Sequence, residues 1–282
     1  MEEEWRNLSF DEQLDKKDFT EYQFGSFKPN LCQRILIFIA NKTFFKRGFF
    51  RIKFTQLIMS LTKGPLDIHF RNCAFRIYGE NNLIEYGILL NPKYNQTDID
   101  FLLEDSKSNS NFVDLGCNIG LYSLPLASSA PNGTVISIDA NPLMQSRLSF
   151  NANSSGIKNI QIICSAVSDK TGEGSLLIRK NDTAIVSVNE DIKGSIKIDK
   201  LENIIREQGL KSIYGLKIDI EGHEDKALVP FLLNVDEDLL PKRIVIEKKT
   251  KNSDYPGCAI AFKKLNYTLV SRSRNNSFYK KL

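Results

Sequence analysis

Cysteine and histidine are scarce in this 282-residue chain, which has five cysteines and two histidines. The cysteines are odd in number, far apart and in no C-x-x-C pair. This pattern argues against a disulfide framework and against a zinc site, and it favours a reducing compartment. The sequence therefore predicts a cytoplasmic protein.

A secretory signal and a long apolar run are also lacking. The chain begins with Met-Glu-Glu-Glu-Trp, without the basic and then apolar order of a signal peptide. The longest apolar run near this end, Ile35 to Ala40, is far too short to span a bilayer. With 41% hydrophobic and 26% charged residues, the composition is typical of one soluble catalytic domain with an appendage.

Acidic residues are nearly missing from residues 31–76, which hold nine Lys or Arg and only Asp67 as an acid. Phe50, Phe54 and Leu57 recur there at helical spacing between basic residues. Either this helix packs on the catalytic domain with its basic residues in water, or residues 42–61 contact an anionic membrane or a lipid-linked substrate. We expect no nucleic-acid partner, because the whole chain is only +4 and has no RNA- or DNA-binding motif.

The first motif is a hydrophobic strand, Phe112-Val113-Asp114-Leu115, that turns through two glycines towards a helix. Gly116 and Gly120 let the backbone approach a ligand, and the helix N-terminus offers free N–H groups. A dinucleotide site would prefer G-x-G-x-x-G, whereas this chain has D-x-G-x-x-x-G. An acid at the strand end suits a cationic ligand without phosphate. S-adenosylmethionine, with its sulfonium and amino-acid head, is the obvious candidate.

A second buried strand, Val135 to Asp139, ends in an acid about twenty residues beyond the glycines, where α/β nucleotide folds place the carboxylate that binds ribose hydroxyls. Asn141 and Pro142 then open a helix. A third strand, Ile160 to Cys164, leads into Ser165-Ala166-Val167-Ser168-Asp169, and the adenine would lie across its end. The alternation of strands and helices predicts a doubly wound, mostly parallel α/β sheet that binds ligands at the carboxyl ends of its strands.

The fourth motif, Leu216-Lys217-Ile218-Asp219-Ile220-Glu221-Gly222-His223-Glu224, completes an ordered set. Together the four motifs resemble those of the FkbM-type S-adenosylmethionine-dependent methyltransferases over roughly residues 70–282. The resemblance implies a Rossmann-like class I fold with a seven-stranded sheet, and O-methylation of a hydroxyl, often on a sugar or natural product. The positions that it implies for the cofactor are Asp114, Gly116, Asn118, Gly120, Tyr122, Ser123, Asp139, Asn141, Ala166, Val167 and Asp219.

The chain departs from the family pattern at two positions. Asp139 stands where the family more often has Glu, and Cys117 stands where it usually has a small residue such as Ala. Asp keeps the ribose role with a shorter reach. Cys117 is interpreted as a small buried hydrophobic residue. We expect residues 1–75 to form an N-terminal extension of helices and the start of a β-hairpin, and residues 76–282 to form the methyltransferase domain.

Methyl transfer to a hydroxyl needs in-line positioning and a group that takes the hydroxyl proton. His223 is the first candidate for this base, with Glu221 or Glu224 orienting it. The alternative is that His223 caps the following helix. Asp219 and Glu221 either bind acceptor hydroxyls or accept hydrogen bonds from helix N–H groups. A divalent cation held by Asp219, Glu221 and His223 is a further, less favoured alternative.

Two other features have competing interpretations. Glu247, which ends the strand Ile244-Val245-Ile246, either contacts the acceptor or lies on an exposed rim. Asn91-Pro92-Lys93-Tyr94 resembles the N-P-P-Y loop of enzymes that methylate flipped bases, but the second proline is missing and we interpret it as a turn. The rival functions are an NAD-linked nucleotide-sugar oxidoreductase and a cofactor-binding module without turnover.

Overall fold

The largest element of the fold is a seven-stranded sheet. The computed structural model describes residues 5–8, 19–80, 82–179, 182–189 and 194–282, with the backbone alone for residues 5–8, 178, 179 and 182–189. The strands of the sheet are β4 (Phe112–Leu115), β5 (Val135–Asp139), β6 (Ile160–Cys164), β11 (Gly215–Ile218), β12 (Arg243–Glu247), β13 (Tyr267–Arg272) and β14 (Asn276–Lys281). Their order across the sheet is β13-β14-β12-β11-β4-β5-β6.

The sheet is mostly parallel. Strand β4 lies at its centre and pairs in parallel with β5 and β11, whose outer neighbours β6 and β12 are also parallel. Only β14 runs antiparallel to its neighbours β12 and β13. Parallel strands need crossover connections, and helices supply them here.

Helices cover both faces of the sheet, because neighbouring strand residues point to opposite faces. Phe112 of β4 packs into one core with α3 (Leu83–Leu90), α4 (Gln96–Leu103), α5 (Ser123–Ser129) and α6 (Pro142–Ser154). Val113 packs into the other core with α7 (Leu201–Glu207), α8 (Glu224–Asn234) and α9 (Pro256–Lys264). The predicted doubly wound, mostly parallel sheet of seven strands is confirmed.

A second, smaller sheet is built from β1 and from four strands of the connection between β6 and β11. It contains β1 (Trp5–Leu8), β7 (Ala166–Val167), β8 (Gly172–Arg179), β9 (Asp182–Asn189) and β10 (Ile196–Asp199). Strand β10 pairs in parallel with β7 and antiparallel with β8, which also pairs with β1 and β9. Through β7, this sheet begins directly after β6 at the edge of the main sheet.

The N-terminal segment contributes two helices and a hairpin. Helix α1 (Leu31–Lys42) and helix α2 (Gly48–Ser60) are joined by a short 3-10 helix at Phe44–Lys46, and β2 (Leu66–Phe70) pairs antiparallel with β3 (Cys73–Ile77). Within the described ranges, no helix is long and apolar enough to cross a membrane.

The boundary predicted after residue 75 lies within β3, and buried contacts join this hairpin to a helix of the main sheet. The guanidinium of Arg76 pairs with Asp67 at 2.7 Å, and both side chains are fully buried. The Arg76 N–H donates to Asn151 Oδ1 of α6 at 3.0 Å. The hairpin is therefore tied to the crossover helix that follows β5.

Candidate active site

A cavity of about 290 Å³ opens at the carboxyl ends of the parallel strands. Its walls are the loops that follow β4, β5, β6, β11 and β12, together with parts of α2, α3 and the turn before α4. This is the edge of an open α/β sheet where ligands bind. The predicted residues that line it are Gly116, Asn118, Tyr122, Asp139, Ala166, Val167, Asp219, Glu221, His223 and Glu247.

Strand register aligns the main polar positions in one row across the sheet. Leu115 of β4 pairs with Ile138 of β5 and with Ile218 of β11, and Ile218 pairs with Ile246 of β12. The next residue on each strand is therefore Gly116, Asp139, Asp219 and Glu247. Three acids and one glycine thus stand side by side at the floor of the cavity.

Gly116 allows two of these loops to touch. Its φ is +77°, and an added Cβ would lie 1.9 Å from the carbonyl oxygen of Asp219. The Gly116 N–H donates to Ile138 O at 2.9 Å. No other residue type satisfies both the left-handed backbone and the contact with the neighbouring loop.

Asp114 lies below this row and does not reach the cavity. It is the third residue of β4, is fully buried, and its Oδ2 accepts from the N–H and the hydroxyl of Ser123 at 3.0 and 2.6 Å. Burial raises the pKa of Asp114 to about 6. Asp114 and Ser123 are not among the described residues that line the cavity, and this pair holds the start of α5 against β4.

Gly120 and Asn141 also have roles other than the expected cofactor contact. A Cβ on Gly120 would lie 2.5 Å from Leu148 Cδ1, so this glycine allows α6 to pack closely. Asn141 is buried and caps α6, since its Oδ1 accepts from Leu143 N–H at 3.0 Å. Neither is among the described residues that line the cavity.

Asp139 faces the cavity and is held by the backbone of two loops. Its Oδ2 accepts from Asn118 N–H at 2.8 Å and its Oδ1 accepts from Asn141 N–H at 2.9 Å. Burial raises the pKa of Asp139 to about 6 in spite of these bonds. Asn118 has φ +47°, and its Oδ1 accepts from Asn82 Nδ2 at 3.0 Å. Neighbouring Cys117 is buried, as expected of a small apolar residue.

Tyr122 forms a second wall through a buried polar network. Its hydroxyl donates to Asp98 Oδ2 at 3.1 Å and accepts from Asn95 Nδ2 at 2.8 Å. Asn276 Nδ2 donates to the same carboxylate. Burial, followed by repulsion from Asp98, raises the pKa of the Tyr122 phenol. Tyr122 is therefore a neutral and rigid wall of the cavity.

The loop after β11 is organised by Glu224. This buried carboxylate accepts from Ile220 N–H at 2.9 Å and from Gly222 N–H at 3.0 Å. Glu221 adopts a left-handed backbone, with φ +54°, between these two residues. Glu224 therefore shapes the loop that leads to His223.

His223 occupies the N-cap position of α8, but its side chain makes no capping hydrogen bond. It lines the cavity together with Asp219 and Glu221. The helix-capping alternative for the imidazole is therefore excluded.

Lys217 is a buried cation next to the acids, and the sequence analysis assigned it no role. Its ammonium lies 3.1 Å from Asp219 Oδ2 and 5.1 Å from the centre of the Tyr122 ring. Burial favours the neutral amine, but attraction to Asp219, Asp114 and Glu247 outweighs burial and raises the pKa of Lys217. A lysine in the middle of a short buried strand was the signal in the sequence, because a buried lysine needs a partner.

The acids that converge differ from the set considered for a cation. Among the described residues, carboxylate oxygens of Asp219, Glu224 and Glu247 all lie within 4.8 Å of one another. Glu221 and His223 do not belong to this group. Burial, followed by repulsion from Asp219 and Glu221, raises the pKa of Glu247 to about 9. Glu247 lines the cavity rather than standing on an exposed rim.

The known proteins to which this chain is similar include methyltransferases. No family model matches the chain. The chain is 26% identical over 187 residues to methyltransferase sdnD of Sordaria araneosa. The aligned region covers 54% of this chain and 71% of that protein. It is similar to the solved structure of M. jannaschii TYW2 in complex with AdoMet, with a TM-score of 0.44, 13% identity, and coverage of 78% of this chain and 88% of the other. It is also similar to precorrin-6y C5,15-methyltransferase from Geobacter metallireducens GS-15, with a TM-score of 0.43, 10% identity, and coverage of 68% and 89%.

Proposed function

We propose that this chain, an S-adenosylmethionine-dependent methyltransferase, belongs to the FkbM type and methylates a hydroxyl of a sugar, glycan or related small metabolite. The row formed by Asp139, Gly116, Asp219 and Glu247 carries the proposal. It puts the acid expected to bind ribose in the same cavity as the residues expected to handle the acceptor.

Charge favours S-adenosylmethionine over NAD in this cavity. Carboxyl groups of Asp139, Asp219 and Glu221 line it, together with Glu247, whose pKa is raised, and they stand against the cations of Lys217 and Arg51. Lys217 is already paired with Asp219. A sulfonium and an ammonium gain from nearby carboxylates, whereas the two phosphates of NAD would be repelled. The NAD-linked oxidoreductase is therefore the weaker reading of this site.

The proposed cofactor contacts follow the order of the strands. Asp139 would bind the ribose hydroxyls with its remaining lone pairs. The loop of Gly116 and Asn118 would hold the amino-acid head, and Ala166 and Val167 would border the adenine. Asp219 would face the ammonium or the sulfonium from the strand on the other side of Gly116.

His223 is proposed as the base that takes the hydroxyl proton. The imidazole lines the cavity beyond Asp219. Asp219 is held by Lys217 and can bind an acceptor hydroxyl. Glu247, whose pKa is raised, would contact an acceptor oxygen. Together these groups offer donors and acceptors to a polyhydroxylated acceptor.

A cytoplasmic location and a non-nucleic-acid acceptor remain part of the proposal. All five cysteines are free thiols, which supports a reducing compartment. One protein with a similar solved structure, at a TM-score of 0.41, is an rRNA methylase from Streptococcus thermophilus. RNA therefore belongs in the assay as a competing acceptor.

Transfer of labelled methyl from S-adenosylmethionine to a panel of glycans, nucleotide-sugars, small sugars and RNA tests the proposal. We expect label on a sugar hydroxyl with the parent chain and none with His223→Ala. Label on RNA alone would replace the acceptor class. Tight cofactor binding without label on any acceptor would favour the module without turnover.

A further inference from the structure

The N-terminal helices expose an unusual amount of apolar surface. Six large apolar side chains of α1, the 3-10 helix and α2 are between 49% and 70% exposed. The six are Leu31, Ile35, Phe38, Phe44, Phe49 and Phe50, and we call them the apolar surface. Scattered exposed apolar residues are ordinary, whereas a contiguous set marks an interaction site.

The apolar surface is built and is not a random scatter. Leu31, Ile35 and Phe38 recur at i, i+4 and i+7, so they form one stripe of α1 that faces away from the protein. Phe44, Phe49 and Phe50 form one group, with ring centres 5.0 Å apart for Phe44 and Phe50 and 6.3 Å apart for Phe49 and Phe50. The stacked pair Phe45 and Phe54 supports this group from below, with centroids 4.6 Å apart.

Basic side chains lie beside the apolar surface, and among the described residues they have no acidic partners. Residues 31–66 contain no Asp or Glu, and Arg34, Lys42, Arg47 and Lys53 are all exposed. None of these four forms an ion pair within the described part of the chain. Lys53 Nζ lies 5.8 Å from the ring centre of Phe49, so charge and apolar surface adjoin.

We propose that the apolar surface and its four basic neighbours dock on an anionic lipid bilayer. Apolar side chains enter the boundary between headgroups and acyl chains, while lysines and arginines pair with anionic headgroups. A second copy of the chain is the less fitting occupant. A two-fold interface would place the same uncompensated cations against one another, and lysine is depleted in protein interfaces.

Docking would place the candidate active site beside the membrane. Arg51 of α2 lines the cavity, and its guanidinium lies 5.7 Å from the ring centre of Tyr94, another lining residue. Helix α2 therefore contributes both to the apolar surface and to the cavity wall. If the proposed function holds, acceptors carried in or on the bilayer would reach the cavity next to this helix.

Flotation of the full chain with lipid vesicles tests the docking. Vesicles of phosphatidylcholine alone are compared with vesicles that mix it equally with phosphatidylglycerol. We expect at least about tenfold more bound protein on the anionic vesicles, because each basic residue near an anionic surface strengthens binding by about fivefold. The preference should shrink as salt is raised.

Two double variants and two matched controls separate the contributions. Phe38→Glu with Phe49→Glu should lower the bound fraction about tenfold or more, and Arg47→Glu with Lys53→Glu should remove the anionic preference. Ile260→Glu on α9, where the side chain is 71% exposed, and Lys263→Glu with Lys264→Glu should change neither. Unchanged affinity for S-adenosylmethionine in every variant would show that the fold is intact.

The docking proposal is tested separately from the proposed function, because flotation needs no turnover. Equal binding to neutral and anionic vesicles, or no binding to either, overturns it. A dimer of the parent chain by light scattering that becomes a monomer in Phe38→Glu with Phe49→Glu, without vesicle binding, would assign the surface to self-association instead.

Discussion

The ends of strands β4 and β5 carry the same residue type and perform different work. Asp114 and Asp139 are both acids near the carboxyl end of a buried strand, and burial raises the pKa of each to about 6. Asp114 pairs in register with Ser137, two residues before Asp139. Two residues of strand are about 6.6 Å, and that offset separates an acid below the cavity from one that faces it.

The position of an acid near a strand end is therefore not enough to identify a ligand contact. The Oδ2 atom of Asp114 accepts from Ser123 and holds the start of α5. Asp139 is held by loop N–H groups, with its carboxylate toward the cavity. The row beyond Leu115 is the functional row. Substitutions at four positions test this difference.

Gly116→Ala should have the largest effect, because the added Cβ would overlap the carbonyl oxygen of Asp219. We expect affinity for S-adenosylmethionine to fall by more than about 100-fold, and the free energy of unfolding to fall by several kcal/mol. Gly156→Ala is the control, because Gly156 has a similar φ of +69° and no atom within 4 Å of an added Cβ. It should cost only about 1–2 kcal/mol of stability and leave the affinity unchanged. Equal affinity losses in the two variants would remove Gly116 from the site.

His223→Ala should lower turnover by about 10²–10⁴, the usual contribution of a general base. Cofactor affinity should stay close to that of the parent chain. Because a protonated imidazole cannot accept the hydroxyl proton, the parent rate should fall at acidic pH and the variant should lose this dependence. The pH profile is measured at saturating cofactor, so that protonation of Asp139 does not contribute. An unchanged rate and profile would leave Asp219, Glu221 or positioning alone to account for transfer.

Asp139→Asn should weaken cofactor binding by about 1.5–3 kcal/mol, the range for a hydrogen bond to a charged group. A ribose diol binds the carboxylate, so parent affinity should fall as pH drops through about 6, and the variant should lack this step. The raised pKa also means that the charged carboxylate costs the unliganded fold stability above that pH. In the variant, relief of this cost opposes the loss of a loop hydrogen bond, because an asparagine amide can accept from only one of the two N–H groups that donate to Asp139. A dissociation constant equal to that of the parent would move the ribose contact elsewhere.

Asp114 should affect stability rather than ligand binding. Asp114→Ala leaves the N–H and hydroxyl of buried Ser123 without their acceptor and should cost about 1–3 kcal/mol in urea unfolding. Asp114→Asn keeps an acceptor and offers a donor where the Asp114 Oδ1 has no partner, so it should cost less than about 1 kcal/mol. Its cofactor affinity should stay within about threefold of the parent. A loss as large as that of Asp139→Asn would erase the distinction between the two strand ends.

The sheet could be predicted because each strand and its polar exit are local patterns. Hydrophobic runs that end at Leu115, Ile138 and Ile218 are visible in the sequence, and their alternation with helices implies a parallel order. The attachment of the hairpin to the main sheet could not be predicted in this way, because the Asp67–Arg76 ion pair and the bond from Arg76 N–H to Asn151 join segments that are distant in the chain.

The sequence indicates which strand ends form the candidate site, but not how the strands align with one another. The sequence shows which acids follow strands but not that Asp139, Asp219 and Glu247 share one row, because register depends on pairing between strands. The roles of Asp114, Gly120, Ser123 and Asn141 depend on the same pairing and on helix packing. Lys217 was visible in the motif, but its partners became clear only with the fold.

Calorimetric titration of the full chain with S-adenosylmethionine and, separately, with NAD tests most directly whether the row beyond Leu115 is a methyl-donor site. We predict one saturable site for S-adenosylmethionine that weakens in Asp139→Asn and persists in Asp114→Asn, and no saturation by NAD. Saturable binding of NAD without binding of S-adenosylmethionine would contradict the account.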